Sequence, residues 1–328
     1  MKVLVTGAGG FLGRNVVDQL LERGHRVRAI IRPASPAPNW KSDVEIFRAD
    51  LRTHDDLLSS FEGIDAVLHL AAATSGSEDV QFASTVVATE KFLGAMAKSS
   101  VKRLIHVSSF VVYDWALTHG TLDENSPLLK NPYHMGGYTI AKVWQERVVI
   151  RFAQTQSWDL TIARPGFIWG AQHAEIAGMG RHVGRVYFMF GPLTRLPLCH
   201  VTNCANCLVA AVDRPTASIG QTFNVIDNDD IRVWRYLREY TRHLGRRALL
   251  LPVPYFVGYG IAQLALFTSK ALFRNKGKLP SLLTPRRFEA QFKPVHFSNR
   301  KLKEVLAWTP PLDFEQCLNA TYRLRSSI

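Results

Sequence analysis

The 328-residue sequence lacks most of the features that decide a protein's class at a glance. It has no low-complexity tract, no long linker and no evident internal repeat, which points to one compact body. Cysteine is scarce: Cys199, Cys204, Cys207 and Cys317 are the whole set. So sparse a set in a long chain argues against a disulfide framework. Cys204-Ala205-Asn206-Cys207 has the spacing of a zinc or redox pair. No second CxxC or paired histidines accompany it, so the thiols read as structural and no metal is expected. The opening Met1-Lys2-Val3-Leu4-Val5-Thr6-Gly7 lacks the apolar length and cleavage site of a secretion signal. It reads as a buried first strand, and a cytoplasmic protein is expected.

Charge is missing from one stretch and crowded into its surroundings. Residues 249–267 carry no charged side chain, but Pro252, Pro254, Gly258, Gly260 and Gln263 dilute the run. An amphipathic or buried helix of a small lobe is expected there rather than a membrane span. Lys270, Arg274, Lys276 and Lys278 follow it, so residues 249–278 are the candidate for peripheral membrane contact. The net charge is +13, and residues 181–303 hold 20 Lys and Arg against 6 Asp and Glu. The remainder is nearly balanced, 20 against 21. Such a basic stretch is either a solvated face or the place where an anionic substrate or lipid surface is met.

What is present is a rhythm. Val3–Thr6, Val27–Ile31, Ala66–Leu70, Arg103–Ser108 and Leu160–Arg164 are short apolar, β-branched runs. Helical spacing lies between them, over Gly13–Arg23 (closed by Gly24) and near 80–98 and 138–155. Strands separated by helices imply βαβ crossovers and a doubly wound α/β fold with a parallel sheet. Residues 1–165 are assigned to a nucleotide-binding domain. Residues 166–328 are assigned mostly to a smaller, mainly helical substrate lobe, with returns to the first domain near 198–226. Gly178–Pro197 shows no clear period and reads as a loop. Phe223–Ile226 reads as a strand, and Val233–Leu244 as a helix capped by Asp229 or Asp230.

Three motifs carry chemistry. Thr6-Gly7-Ala8-Gly9-Gly10-Phe11-Leu12-Gly13 stands between the first strand and the first helix. Gly7 permits the tight turn, Gly10 lets a pyrophosphate approach the helix N-terminus, and Gly13 lets helix and strand pack closely. The second strand ends on Arg32, where an acidic residue would accept from ribose hydroxyls; a cation suits a 2′-phosphate instead. NADP is therefore preferred over NAD. Asp50 and Leu51 stand where the adenine edge would lie. Finally, Tyr138 and Lys142 are four apart on a helix and share a face, so the ammonium can favour the phenolate. Ser108-Ser109, at the end of a strand, offers a hydroxyl for a substrate oxygen.

With these residues in order, the chain resembles an extended short-chain dehydrogenase/reductase of the NAD(P)-dependent epimerase/dehydratase superfamily. Thr6–Gly13 matches the family's TGxxGFxG, which brings Phe11 and Leu12 into the cofactor set. His69-Leu70-Ala71-Ala72 matches HLAA, implying that Leu70, Ala71 and Ala72 line the cofactor. Ser108–Tyr113 matches SSxxVY, with Asp114 in place of Gly, and makes Ser109 the catalytic serine beside Tyr138 and Lys142. Arg164-Pro165-Gly166 resembles RPxxIYG and adds Pro165. His200-Val201-Thr202-Asn203 and Ala307-Trp308-Thr309-Pro310 resemble HVxD/N and GWxP. Thr85 stands where relatives have an asparagine supporting a proton relay, and the segment typical of nucleotide-sugar enzymes is missing before His200. Leu251-Pro252-Val253-Pro254-Tyr255 is similar to 3β-hydroxysteroid dehydrogenase-like and dihydroflavonol reductase-like relatives.

The resemblance implies hydride transfer to or from a secondary alcohol or ketone carbon of an apolar or acyl-type small molecule. A nucleotide-sugar epimerase or dehydratase with a recycled cofactor is the alternative. A non-enzymatic NADP-sensing or RNA-binding relative is the third reading. The intact Tyr138, Lys142 and Ser109 set argues against that one, and no nucleic-acid partner is expected. A homodimer is implied by family analogy alone.

Overall fold

Seven strands form one parallel sheet: β1 (Lys2–Thr6), β2 (Arg26–Ile31), β3 (Glu45–Arg48), β4 (Ala66–His69), β5 (Arg103–Val107), β6 (Asp159–Pro165) and β7 (Thr222–Val225). Their spatial order is β7-β6-β5-β4-β1-β2-β3 in the computed structural model. The described residues are 1–40, 43–171, 173–243, 248–273 and 279–323. β1 lies mid-sheet, with Val3 paired to Val27 on one side and Ala66 on the other. Parallel strands need crossovers that cover both faces, so their residues point into two cores. Val3 and Val5 face one core and Leu4 the other, and all three are fully buried.

Four helices supply the covers: α1 (Phe11–Glu22), α2 (Ala88–Met96), α3 (Gly137–Gln156) and α4 (Val201–Asp213). α1 and α4 close the first face, α2 and α3 the second. α1 ends as its glycine requires: Gly24 sits at φ +77°, and the amides of Gly24 and His25 donate to the Leu21 and Leu20 carbonyls. α2 is preceded by a short helix, Glu78–Phe82, and a π-turn, Ala83–Val87.

The smaller lobe departs from expectation in three places. The stretch expected as a loop contains Arg181–Val183 and Val186–Phe190, an antiparallel pair extended in parallel by Leu249–Val253. Tyr187 and Met189 are buried while their neighbours are not, a period of two over too few residues to stand out among glycines and arginines. Second, Asp229 and Asp230 turn elsewhere than to the start of α5 (Val233–His243). The first amides there, Val233 and Trp234, donate to the Thr194 and Pro192 carbonyls. Asp229 instead accepts from Phe314 N at the head of the last helix, and Asp230 pairs with Arg195 at 2.6 Å.

Third, residues 249–267 are not one helix. Leu249–Val253 is a strand; α6 (Tyr255–Phe273) starts after Pro254, which cannot donate to a ladder. α6 is neither buried nor polar outside. Its inner side meets Phe288 of α7 (Pro285–Phe292), so closely at Gly258 that a Cβ would lie 2.5 Å from that ring. Its outer side exposes Phe256 (74%), Ile261, Leu264 and Phe267 (68%). The lobe has apolar partners for only one side of a helix that is apolar all round. Among the described residues no helix is long and apolar enough to cross a membrane. Arg274, Lys276 and Lys278 lie outside the described residues. Trp169, Tyr236 and Phe314 of α8 (Phe314–Arg323) centre this lobe's own core.

Candidate functional site

In an open parallel sheet the strand order reverses at one point, and a crevice opens there beyond the carboxyl ends. Here the point lies between β1 and β4. The glycine loop follows β1, Leu70–Ala72 follows β4, Ser108–Ser109 follows β5 and Pro165 ends β6. The topology alone therefore gathers residues that lie far apart in sequence.

The glycine loop has the shape of a cradle for a dinucleotide. Gly7 sits at φ +70°, a conformation L side chains rarely adopt, and a Cβ there would come within 3.0 Å of Ala71 N. A Cβ on Gly13 would fall 2.1 Å from the Gly7 carbonyl, so only glycine lets α1 rest on the loop. Gly10 is the exposed N-cap of α1, with no side-chain cap and no acidic residue in the first turn. Gly10 N donates to the Gly7 carbonyl, and the N-terminal end of the α1 dipole beyond it suits a pyrophosphate. Leu12 packs against the first core, and the Phe11 ring lies 4.2 Å from that of His173, across the crevice.

At the far end, Arg32 is exposed just past β2. The Asp50 carboxylate is held by Arg52, at 2.7 and 3.0 Å, which pulls its pKa down to about 2. Leu51 is buried in the second core.

At the near end, Tyr138 is the second residue of α3, and its phenol lies close enough to the Ser109 side chain to feel it electrostatically. Burial raises the phenol's pKa, and Ser109 only partly opposes this. Ser109 also caps a short 3₁₀ turn, accepting from Val111 N. One turn along α3, Lys142 is 2% exposed and points beneath the crevice. Its ammonium donates to Val107 O at 2.8 Å and to Gln145 Oε1. Burial draws its pKa down to about 7, with Glu146 acting in the opposite sense.

Sequence reading passed over the network behind Lys142. Gln145 Nε2 donates to Ala71 O at 2.9 Å and to Thr89 Oγ1 at 2.8 Å. His69 bridges Thr89 Oγ1 and Thr6 Oγ1, both at 2.8 Å, and burial holds it neutral with a pKa near 3. Thr6 Oγ1 accepts from the amides of Leu70 and Ala71. Thr85, in the π-turn, accepts from Ala73 N at 2.9 Å. His69 had read as a core residue, and it is buried, but as part of this network. The signal for Gln145 was a polar residue three positions after Lys142, on the same helical face.

Behind the crevice Arg164 ties three elements together. It forms a two-pronged pair with Glu146 of α3, at 2.6 and 3.1 Å, and donates to the Tyr113 hydroxyl at 3.0 Å. Tyr113 in turn donates to Asn224 of β7. Asn203, from the HVxN segment, bridges Asp227 and the Leu312 carbonyl and so joins α4 to the smaller lobe. The four cysteines are buried and free of disulfides.

A doubly wound sheet with this cradle, and a Ser–Tyr pair at the ends of neighbouring elements, defines a Rossmann-type, nicotinamide-dependent enzyme. The model of the NAD dependent epimerase/dehydratase family matches residues 3–225, and the chain belongs to that family. It is similar to a quinoline-oxide ketoreductase of Stigmatella aurantiaca, 27% identical over 83% of this chain and 82% of the relative. Sterol-4-alpha-carboxylate 3-dehydrogenase (decarboxylating) of Mus musculus is 26% identical over 98% and 90%. Among solved structures, UDP-glucuronic acid 4-epimerase from Bacillus cereus shares the fold with a TM-score of 0.72. It is 19% identical, over 100% of this chain and 99% of that one.

Proposed function

We propose that the protein is an NADP-preferring oxidoreductase of a secondary alcohol or ketone on an apolar small molecule. In this reading residues 1–165 hold the cofactor and the rest of the chain mostly shapes the substrate site. The observation that carries it is the placement of Tyr138 at the head of α3 beside Ser109 at the end of β5, with Lys142 one turn below and a phenol whose pKa burial raises. A neutral phenol is the proton donor that ketone reduction needs. Ser109 orients the substrate oxygen against Tyr138, and Tyr138 delivers the proton to it, or removes it in the reverse direction. Lys142, one turn below, supplies positive charge when the phenol has given up its proton. The nicotinamide cofactor supplies hydride exchange when bound. Gly7, Gly10, Gly13, Phe11, Leu12, Leu70, Ala71, Ala72 and Pro165 hold that cofactor, with Arg32 at the 2′-phosphate and Asp50–Leu51 beside the adenine.

The test is net NADPH consumption over ketosteroids, β-keto acyl compounds and UDP- or dTDP-sugars. Turnover of a sugar nucleotide without net consumption would favour the epimerase reading instead. Tyr138→Phe should lower turnover by roughly 10²- to 10⁴-fold while cofactor affinity stays nearly constant. Strong residual activity in that variant would remove Tyr138 from the mechanism.

The same reading gives the smaller lobe a lipid-facing side. Strand register aligns Val183, Val186 and Leu249 in one row and Arg181, Phe188 and Leu251 in the next. Leu249 (63%) and Val183 (64%) are exposed, and the strand leads directly into the bare outer face of α6. From residue 240 to 288 the sequence holds nine Lys and Arg and no Asp or Glu. The apolar outer face of α6, with Lys270 on the same helix and Arg286 and Arg287 on α7, is matched to an anionic bilayer surface, where apolar substrates also concentrate.

A further inference from the structure

We infer that Gln145 is a positioning residue, which fixes the Lys142 ammonium and ties it to the backbone of the cofactor cradle. The inference rests on the role given to Lys142 above. Gln145 is fully buried, one turn along α3 from Lys142. Its carboxamide has only one sensible orientation. Ala71 O can only accept, so the atom 2.9 Å from it is the NH₂ group, and Oε1 is left facing Lys142 Nζ. Two of the three ammonium protons are thus committed, to Val107 O and to Gln145. The third is the only one left for a partner in the crevice.

The contacts run on without a gap. Ala71 accepts from Gln145, donates to Thr6 Oγ1, and lies 3.0 Å from where a Gly7 Cβ would stand. A shift of Ala71 toward or away from a bound dinucleotide therefore moves the acceptor that holds Lys142. The neutrality of that acceptor matters as well. Glu146 on α3 is the one acidic group acting on Lys142, and it is engaged by Arg164. The groups facing Lys142 from β4 and β5 are His69 and His106, both held neutral by burial. Gln145 thus secures the ammonium without adding negative charge, so the Lys142 pKa stays set by burial with Glu146 opposing. A carboxylate in its place would lock the charge on.

The experiment compares wild type, Gln145→Glu and Gln145→Leu. The Lys142 pKa is read in the full-length protein by NMR of ¹³C-labelled lysine, the signal being assigned by its loss in Lys142→Arg. NADPH affinity is measured alongside. Gln145→Glu should raise the Lys142 pKa by about one unit or more, and Gln145→Leu should lower it. Gln145→Leu should also weaken NADPH binding by roughly tenfold, because Ala71 loses its tether. A residue that merely fills space would change thermal stability and leave the Lys142 titration where it was. If the pKa moves by less than about 0.3 unit in both variants, the inference is wrong. Gln145→Glu changes no side-chain volume, so it stands in should the leucine variant fail to fold. Neither readout depends on turnover, so failure here is distinct from failure of the Tyr138 mechanism.

Discussion

At the scale of single residues, the site divides into groups whose chemistry is local and groups whose meaning depends on neighbours. Arg32 belongs to the first kind. It is exposed beyond β2, where the sequence places a cation rather than an acid at the strand end, with the Asp50 carboxylate near enough to feel its charge. Arg32→Asp should therefore shift the ratio of NADP to NAD affinity by roughly tenfold or more toward NAD, as titration with both cofactors will measure. An unchanged ratio would show that selectivity lies elsewhere in the loop. Tyr138, Lys142 and Ser109 were legible because a motif fixes their spacing. Gln145, Thr89 and His69 were not, because the bonds joining them link residues up to 76 apart in sequence. A lone polar residue on an apolar helical face does not reveal its partner; only the packing of α3 against the end of β4 does so.

Among elements, legibility followed length and flanking glycines. The central strands of the parallel sheet, such as β1 and β4, are buried on both faces and stood out as apolar runs, whereas the edge strand β3, Glu45–Arg48, has no buried residue and gave no such run. α1 could be bounded at both ends, by the glycine loop and by Gly24. The hairpin at 181–190 escaped because five residues of alternation carry little signal, and Pro254 hid the change from strand to helix inside one uncharged stretch. The seating of α1 gives a test at this scale. Gly13→Ala would drive a methyl into the Gly7 carbonyl and the Ala8 backbone, at 2.1 and 2.7 Å, so the whole helix must move. Denaturant unfolding should show a loss of about 3 kcal/mol, together with lost cofactor binding. Gly94→Ala, in α2 with nothing within 4 Å of the new methyl, should instead gain about 0.5–1 kcal/mol.

For the whole molecule, the distribution of charge and apolar surface makes the most distinctive forecast. The protein should cosediment with vesicles containing an anionic phospholipid and much less with purely zwitterionic ones, and added salt should release it. The double variant Phe256→Ser/Phe267→Ser should lose this binding, since each ring contributes about 2–3 kcal/mol of apolar burial. If the variant binds as before, the lipid reading of α6 fails. A concentration-dependent dimer that the same variant dissolves, without vesicle binding, would assign the face to a second copy of the chain.

The position of β1 at the centre of the sheet has a consequence for how the chain is made. The strands that flank and complete the crevice end at residues 69, 107 and 165, well after the glycine loop. At about 5–20 residues per second, roughly 10–30 s separate the glycine loop from its opposite wall. During synthesis the loop and α1 are exposed without their partners, so a folding helper acting on this protein would find a target in the segment that later forms the cofactor cradle.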